Sequence, residues 1–99
     1  MRPGTPEVVV FHLPGTLAPL AGGRSRVVLE EPGRDVGSAL RALAARHPGL
    51  RDRVLDERGA VRLHVNVFVG ADNVRDTGGL ETPLRPGAEV FILPSVSGG

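Results

Sequence analysis

Only one stretch of this chain has the periodicity of an amphipathic helix, and β-branched runs lie on both sides of it. In "RDVGSALRALAARH", Val36, Leu40, Leu43, Ala44 and His47 recur at the spacing that puts them on one helix face. Asp35 stands where an N-cap belongs, because its carboxylate can accept from first-turn amides that have no intrahelical partner. Pro48-Gly49 is expected to end the helix, with "LRDRVLDERG" adding at most a turn or two before Gly59. Four other runs read as strands: residues 7–13 (EVVVFHL), 24–31 (RSRVVLEE), 60–70 (AVRLHVNVFVG) and 88–94 (AEVFILP). One short helix covers only one face of one sheet, so these pieces must form a two-layer domain.

The third run alternates, with Val61, Leu63, Val65, Val67 and Val69 on one side and Arg62, His64, Asn66 and Phe68 on the other. Val74-Arg75 is long enough for a very short further strand. Pro14-Gly15, Gly22-Gly23, Gly78-Gly79 and Pro86-Gly87 supply turns, and residues 1–6 read as a disordered lead-in. With no repeat, linker or low-complexity segment, residues 1–99 form one domain. The order strand, strand, helix, strand, short strand, strand predicts an α+β fold of the β-grasp, or ubiquitin-like, kind. This is a mixed sheet of four to five strands with the main helix on one face. The first and last strands lie parallel in its middle, and the C-terminus leaves as a free tail.

Sheet parity sorts the side chains. Val9, Phe11, Leu13, Val65, Val67, Val69, Val90 and Ile92 are expected under the helix. That turns Val8, Val10, His12, Phe68, Phe91 and Leu93 outward, a face too apolar to serve water alone. Burying about 300 Å² of it is worth on the order of 7 kcal/mol before association entropy is subtracted. Val8, Val10, Phe68, Phe91 and Leu93, with Pro94 and Val96 beside them at the start of the tail, are the expected docking surface for a partner protein.

Composition excludes several functions. The net charge is +1 with acids and bases interleaved, which gives no footprint for nucleic acid. No apolar run approaches a membrane span, and "MRPGTPEVVVF" lacks the layout of a signal peptide, so a cytoplasmic protein is expected. There is no cysteine, hence no thiol catalysis, no disulfide and no Cys-ligated metal. His12, His47 and His64 have no ligand spacing, so no metal site is expected. All twelve basic residues are arginine, as GC-rich codon usage would give. Arg75 and Arg85 read as solvated charges with a secondary capacity to steer partners. No constellation of catalytic side chains appears, and the chain reads as a protein co-substrate, not an enzyme.

The remaining chemistry is at the end, "FILPSVSGG". Beyond Val96 there is no bulky side chain, so Gly98-Gly99 can pass along a channel too narrow for anything larger. A terminal carboxylate is ionised at neutral pH and can attack the α-phosphate of ATP to give an acyl-adenylate. With Val65-Asn66, Asn73-Val74-Arg75, Gly79-Leu80, Thr82-Pro83-Leu84, Gly87, Glu89-Val90, Leu93-Pro94 and Gly98-Gly99, the chain resembles the ubiquitin-like sulfur carriers. These are the small subunit of molybdopterin synthase, the thiamine sulfur carrier and the cysteine-biosynthesis carrier of actinobacteria. The ending is most similar to the last of these, with Ser95 and Ser97 in place of alanines. "GADNVR" departs from the usual hairpin tip, and Gly87-Ala88 from Gly-Asp.

The resemblance implies an ATP-dependent E1-like activating enzyme that adenylates Gly99 while Gly98 threads its channel. A sulfur source then converts Gly99 to a thiocarboxylate. The carrier itself binds no cofactor and passes its sulfur to an acceptor such as a PLP-dependent cysteine synthase. Molybdopterin, thiamine and specialised metabolites are alternative destinations. The same activated glycine would serve a protein modifier joined to target lysines, which is the alternative function. A monomer that docks on its partners is expected.

Overall fold

A computed structural model describes residues 8–30 and 33–94. The expected lead-in (1–6) and tail (95–99) lie outside these residues. The strands are β1 (Val8–His12), β2 (Arg26–Glu30), β3 (Val65–Val69), β4 (Asp72–Asn73) and β5 (Glu89–Pro94). Two helices, α1 (Val36–Arg46) and α2 (Pro48–Val54), separate β2 from β3, and single 3₁₀ turns occur at Ala18–Ala21, Val74–Asp76 and Gly79–Glu81. The sheet order is β2-β1-β5-β3-β4, with β1 parallel to β5 and the other pairs antiparallel. The β-grasp arrangement expected from the element order is therefore the one found.

The sheet contributes Phe11, Leu29, Val67, Val90 and Ile92 to the core, each at most 1% exposed. Val36, Leu40 and Leu43 of α1 and Leu50 and Val54 of α2 close over them. The inward set is the alternate residues of each strand, as the two-residue period of a half-buried sheet requires.

Two local readings are corrected by the structure, the extent of the third strand and the short strand at Val74-Arg75. Helix α1 ends ahead of Pro48-Gly49 as expected, and the further two turns are α2, with Pro48 in its first turn. Proline suits that position because a first-turn residue has no intrahelical use for its N–H. Leu50 and Val54 then reach the core. The third strand begins only at Val65. Before it, Arg62 N–H donates to Val54 O and Val65 N–H to Arg62 O, and this turn leaves Leu63 89% exposed. Alternation alone cannot distinguish this approach from a strand. Finally, Val74-Arg75 is not a strand. Asp72 and Asn73 pair with Val69 and Phe68, and Val74 turns inward on a 3₁₀ turn to become 2% exposed.

The long connection from β4 to β5 is held against the start of α1. Val36 N–H donates to Thr82 O at 2.9 Å and Leu84 N–H to Arg34 O at 2.8 Å. The buried Thr82 hydroxyl donates to Gly79 O at 2.7 Å. Gly37 faces this connection so closely that a Cβ would lie 3.2 Å from both the Leu80 Cβ and its backbone carbonyl oxygen. Gly37→Val is expected to cost about 2 kcal/mol by overpacking, read as a lower urea midpoint.

Asp35 is the N-cap expected, its carboxylate accepting from Ser38 N–H at 2.8 Å. That amide, followed by the Ser38 hydroxyl, holds the Asp35 carboxyl below its usual value. Asp35→Ala is expected to lose about 1 kcal/mol at neutral pH. A depressed folded-state pKa gives stability that is present above the ordinary carboxylate range, about pH 4, and lost as pH falls through the folded value. The urea midpoints of the two proteins should therefore converge in acid.

Candidate functional site

Strand register places a continuous row of side chains across the outer face of the sheet. Arg26 of β2 lies opposite His12 of β1, His12 beside Phe91 of β5, Phe91 opposite Phe68 of β3, and Phe68 opposite Asn73 of β4. The His12 and Phe91 rings stack with centroids 4.4 Å apart and planes 10° from parallel. His12 Nε2 also lies 2.7 Å from a Glu89 carboxylate oxygen. The ring is thus held flat on Phe91 from one side and tethered from the other. An aromatic strip of this kind offers a partner a rigid apolar surface with a polar handle.

A second feature sits where β3 and β4 turn. Arg75 Nη1 donates to Asn66 Oδ1 at 2.6 Å and Nη2 to Arg62 O at 3.1 Å, while Arg75 N–H donates to Asn73 Oδ1 at 3.0 Å. Asn66 lies opposite Leu93 on β5. The guanidinium therefore ties the approach to β3, the strand itself and the end of the hairpin into one unit beside the last residues of β5. A planar fork with donors at fixed angles does this; a single ammonium would not.

The third feature is a cavity of about 130 Å³ at the end of β5. It is lined by Pro14, Thr16 and Leu17, by Val65, Ile92 and Pro94 of the sheet, and by Arg53 of α2 and His64. Arg53 and His64 are exposed.

Of the residues expected to dock a partner, Val8, Phe68 and Phe91 are half-buried and Leu93 is 42% exposed. Pro94 is exposed and pairs with Val65. Val10 shares the outward parity but is only 8% exposed, so it backs the surface more than it forms it. The face is also more polar than its apolar members suggest, since Asn66, Arg75, His12 and Glu89 interleave with them. Val96, Gly98 and Gly99 lie outside the described residues. The Arg75 fork and the His12–Glu89 tether were not legible in sequence, because each joins residues of separate segments. The only signals were the Val65-Asn66 and Asn73-Val74-Arg75 motif elements. Among the described residues, no group of three His, Asp or Glu side chains converges as a metal site would need, and no helix is long and apolar enough to cross a membrane.

Residues 11–99 match the ThiS family. The chain is 36% identical over 93 residues to the sulfur carrier protein CysO of Mycobacterium tuberculosis, covering 92% of this chain and 98% of that protein. It superposes on the crystal structure of the Amycolatopsis orientalis BexX/CysO complex with a TM-score of 0.81 and 33% identity, covering 92% of this chain and 99% of the matched one. It is also 35% identical over 83 residues to small archaeal modifier protein 1 of Haloferax volcanii, over 84% of this chain and 91% of that one.

Removing the guanidinium fork tests its structural part. Arg75→Ala is expected to lose about 1 kcal/mol and to speed amide hydrogen exchange at the β3–β4 hairpin more than in β1. Arg75→Lys should recover less than half of either effect, since one ammonium cannot reach both acceptors. Urea titration and exchange monitored by NMR read these outcomes.

Proposed function

The chain belongs to the ThiS family, and from that premise we propose that it is a sulfur carrier that works through the carboxylate of Gly99. A Gly99 oxygen attacks the α-phosphorus of ATP on an E1-like activating enzyme. The new acyl–phosphate bond forms as the α–β phosphoanhydride breaks, and pyrophosphate leaves. Hydrosulfide then attacks the carbonyl carbon and AMP departs, leaving a thiocarboxylate. The sulfur next attacks an electrophilic carbon held by an acceptor enzyme. Water cleaves the resulting thioester, which returns Gly99 to a carboxylate and leaves the sulfur on the product.

The observation that carries this reading is the 36% identity to a sulfur carrier over nearly the whole chain, within a family match that runs through Gly99. The geometry supports it. β5 runs through the sheet between β1 and β3 and ends at Pro94, five residues before Gly99. A partner gripping the outer face therefore holds the base of the tail at a fixed place and direction. With no cysteine in the chain, covalently carried sulfur has no thiol side chain to occupy, and the C-terminal acyl group is the position that accepts it. The carrier needs no catalytic group of its own, since the activating enzyme supplies ATP and the acceptor supplies the electrophile. The resemblance of its ending to that of the cysteine-biosynthesis carriers points to an acceptor of the PLP-dependent cysteine synthase class.

The similarity to small archaeal modifier protein 1 supports a second reading, in which a lysine amine takes the place of sulfide and an isopeptide results. The two diverge in one experiment. The protein is incubated with ATP, sulfide and an activating enzyme of the family, and its intact mass is measured. A carrier gains the difference between sulfur and oxygen at its C-terminus. A modifier instead accumulates as branched peptides on lysine. Neither product after full adenylation would overturn the carrier reading.

Two variants sharpen the test. Deleting Gly99 should lower thiocarboxylate formation by about 100-fold or more, because the reacting carbon is displaced from its site. Leu93→Asp should leave the fold intact, since the side chain is already exposed, and weaken binding to the activating enzyme by about tenfold, as for loss of a buried interface anchor. Titration calorimetry reads the second.

A further inference from the structure

The sheet has two edges, β4 and β2. β4 is two residues long and runs straight into a 3₁₀ turn, which leaves little backbone for another strand to pair with. β2 is five residues long, and its register against β1 is unbroken from Arg26 to Glu30. Leu13 N–H donates to Ser25 O at 2.8 Å, so Leu13 and Ser25 extend that register as a hydrogen-bonded pair. Antiparallel alternation then makes Phe11–Val27 and Val9–Leu29 the hydrogen-bonded pairs within the strands. Val10 agrees with this phase, since its N–H donates away from β2, to Ala88 O. The N–H and C=O groups of Arg26, Val28 and Glu30 therefore point away from β1 along the open edge. Among the described residues none of these groups has a backbone partner.

An open edge is a template for any strand that reaches it, and the side chains along it say which strand fits. Arg26, Val28 and Glu30 share one face of β2 and are exposed, Val28 at 37%. Among the described residues neither Arg26 nor Glu30 has an ion-pair partner. Charges on an edge usually guard it against pairing. Here they are opposite in sign and lie two residues to either side of Val28, so the row of cation, apolar group and anion becomes its own complement when reversed. Against a second β2 running antiparallel and centred on Val28, Arg26 meets Glu30 of the other copy at each end, and Val28 meets Val28. Opposite charges placed directly across two strands stabilise the pair, and like charges there destabilise it.

We propose that β2 is a self-association edge, pairing antiparallel with β2 of a second copy about a twofold axis at Val28. The contact is isologous, with the same residues used by both copies. Arg26 N–H donates to Glu30 O of the second copy and Glu30 N–H to its Arg26 O, while the two Val28 residues exchange their own bonds, each pair with Cα atoms roughly 5.5 Å apart. The two five-stranded sheets become one. The axis stands perpendicular to the sheet, so the helices of both copies lie on one side and both outer faces on the other. It also reverses strand direction, so the two β5 strands end at opposite ends of the joined sheet and each docking face stays open. Pairing along one short strand buries well under the ~1,200 Å² of a standard interface, which makes the contact weak and concentration-dependent. At high dilution the chain is the monomer expected from its sequence. The inference does not depend on the carrier reading.

The test uses the full chain, mixed from isotope-labelled and unlabelled protein, from about 50 μM to about 2 mM, where a contact of this size fills. Translational diffusion measured by NMR should slow as concentration rises, and the amides of Arg26, Val28 and Glu30 should shift more than those of Val27 and Leu29. Between labelled and unlabelled copies, nuclear Overhauser contacts are expected from the Val27 α-proton to the Leu29 α-proton, which face each other across a pair without hydrogen bonds. Arg26→Glu and Glu30→Arg each set like charges opposite one another at both ends and should raise the dissociation constant at least about fivefold. Both positions are exposed, and unchanged α1 amide shifts check that the fold is kept. An equimolar mixture of the two variants, like the double variant, puts opposite charges back at both ends and should associate as the unaltered chain does. Diffusion indifferent to concentration would overturn the proposal, as would association that the mixture fails to restore. Intermolecular contacts through Phe68 and Phe91 would place self-association on the outer face instead. A response of the β2 amides only to an added activating enzyme would assign the edge to a strand of that partner. Either result rejects pairing between copies at β2.

Discussion

In the middle of the sheet β1 runs parallel to β5, with Val10 beside Glu89, Phe11 beside Val90 and His12 beside Phe91. The first and last strands of the chain thus meet along its centre, and everything between them must fit into one crossover. Closing so long a loop is entropically costly, though the cost grows only slowly with length. It is offset where the pairing puts Phe11, Val90 and Ile92 at 0% exposure beneath the helices. The same pairing aligns His12 with Phe91 on the other face and fixes where β5 ends. A change that broke this pair would lose the core, the outer face and the placement of the end of β5 together.

The two faces of the sheet consequently do different work. Beneath the helices the side chains are apolar and nearly all inaccessible. On the outer face aromatic rings alternate with groups that orient them: Glu89 tethers His12, and the Arg75 fork braces Asn66 and the β3–β4 hairpin. Such bracing lowers the conformational freedom a docking partner would otherwise have to remove. Under the proposed carrier function, a rigid surface of this kind gives a partner a reference frame from which to place the reactive carbonyl in its own site.

Local signals were legible wherever a residue's role is settled by its neighbours in the chain. Asp35 caps α1 because its carboxylate needs only the amide three residues on, and the inward residues of β1, β3 and β5 follow from a two-residue period. Pro48 marks both the end of α1 and the start of α2, because proline is equally at home just past one helix and in the first turn of another. Leu63 and Val74 were misread because alternation and β-branching describe a strand but not whether the chain has already turned. Leu63 has turned toward solvent and Val74 into the core, each decided by contacts with a distant segment. Val8, Phe68, Phe91 and Leu93 lie on the outer face as parity predicts, yet Val10 is covered, since parity gives direction and not depth.

The amino-acid sequence alone determined the order of the four longer strands and the main helix, the apolar stripe of α1, the alternation of the inner strands and the absence of any thiol. Each of these is a property of spacing or composition, fixed before any long-range contact forms. Only the tertiary structure decided that His12 stacks on Phe91 and reaches Glu89, that Arg75 spans Asn66 and the Arg62 carbonyl, and that Arg53 and His64 border a cavity beside Pro94. These depend on strand register and on how closely separate segments approach, which are set by the packing of the whole core and are written in no single stretch of the chain.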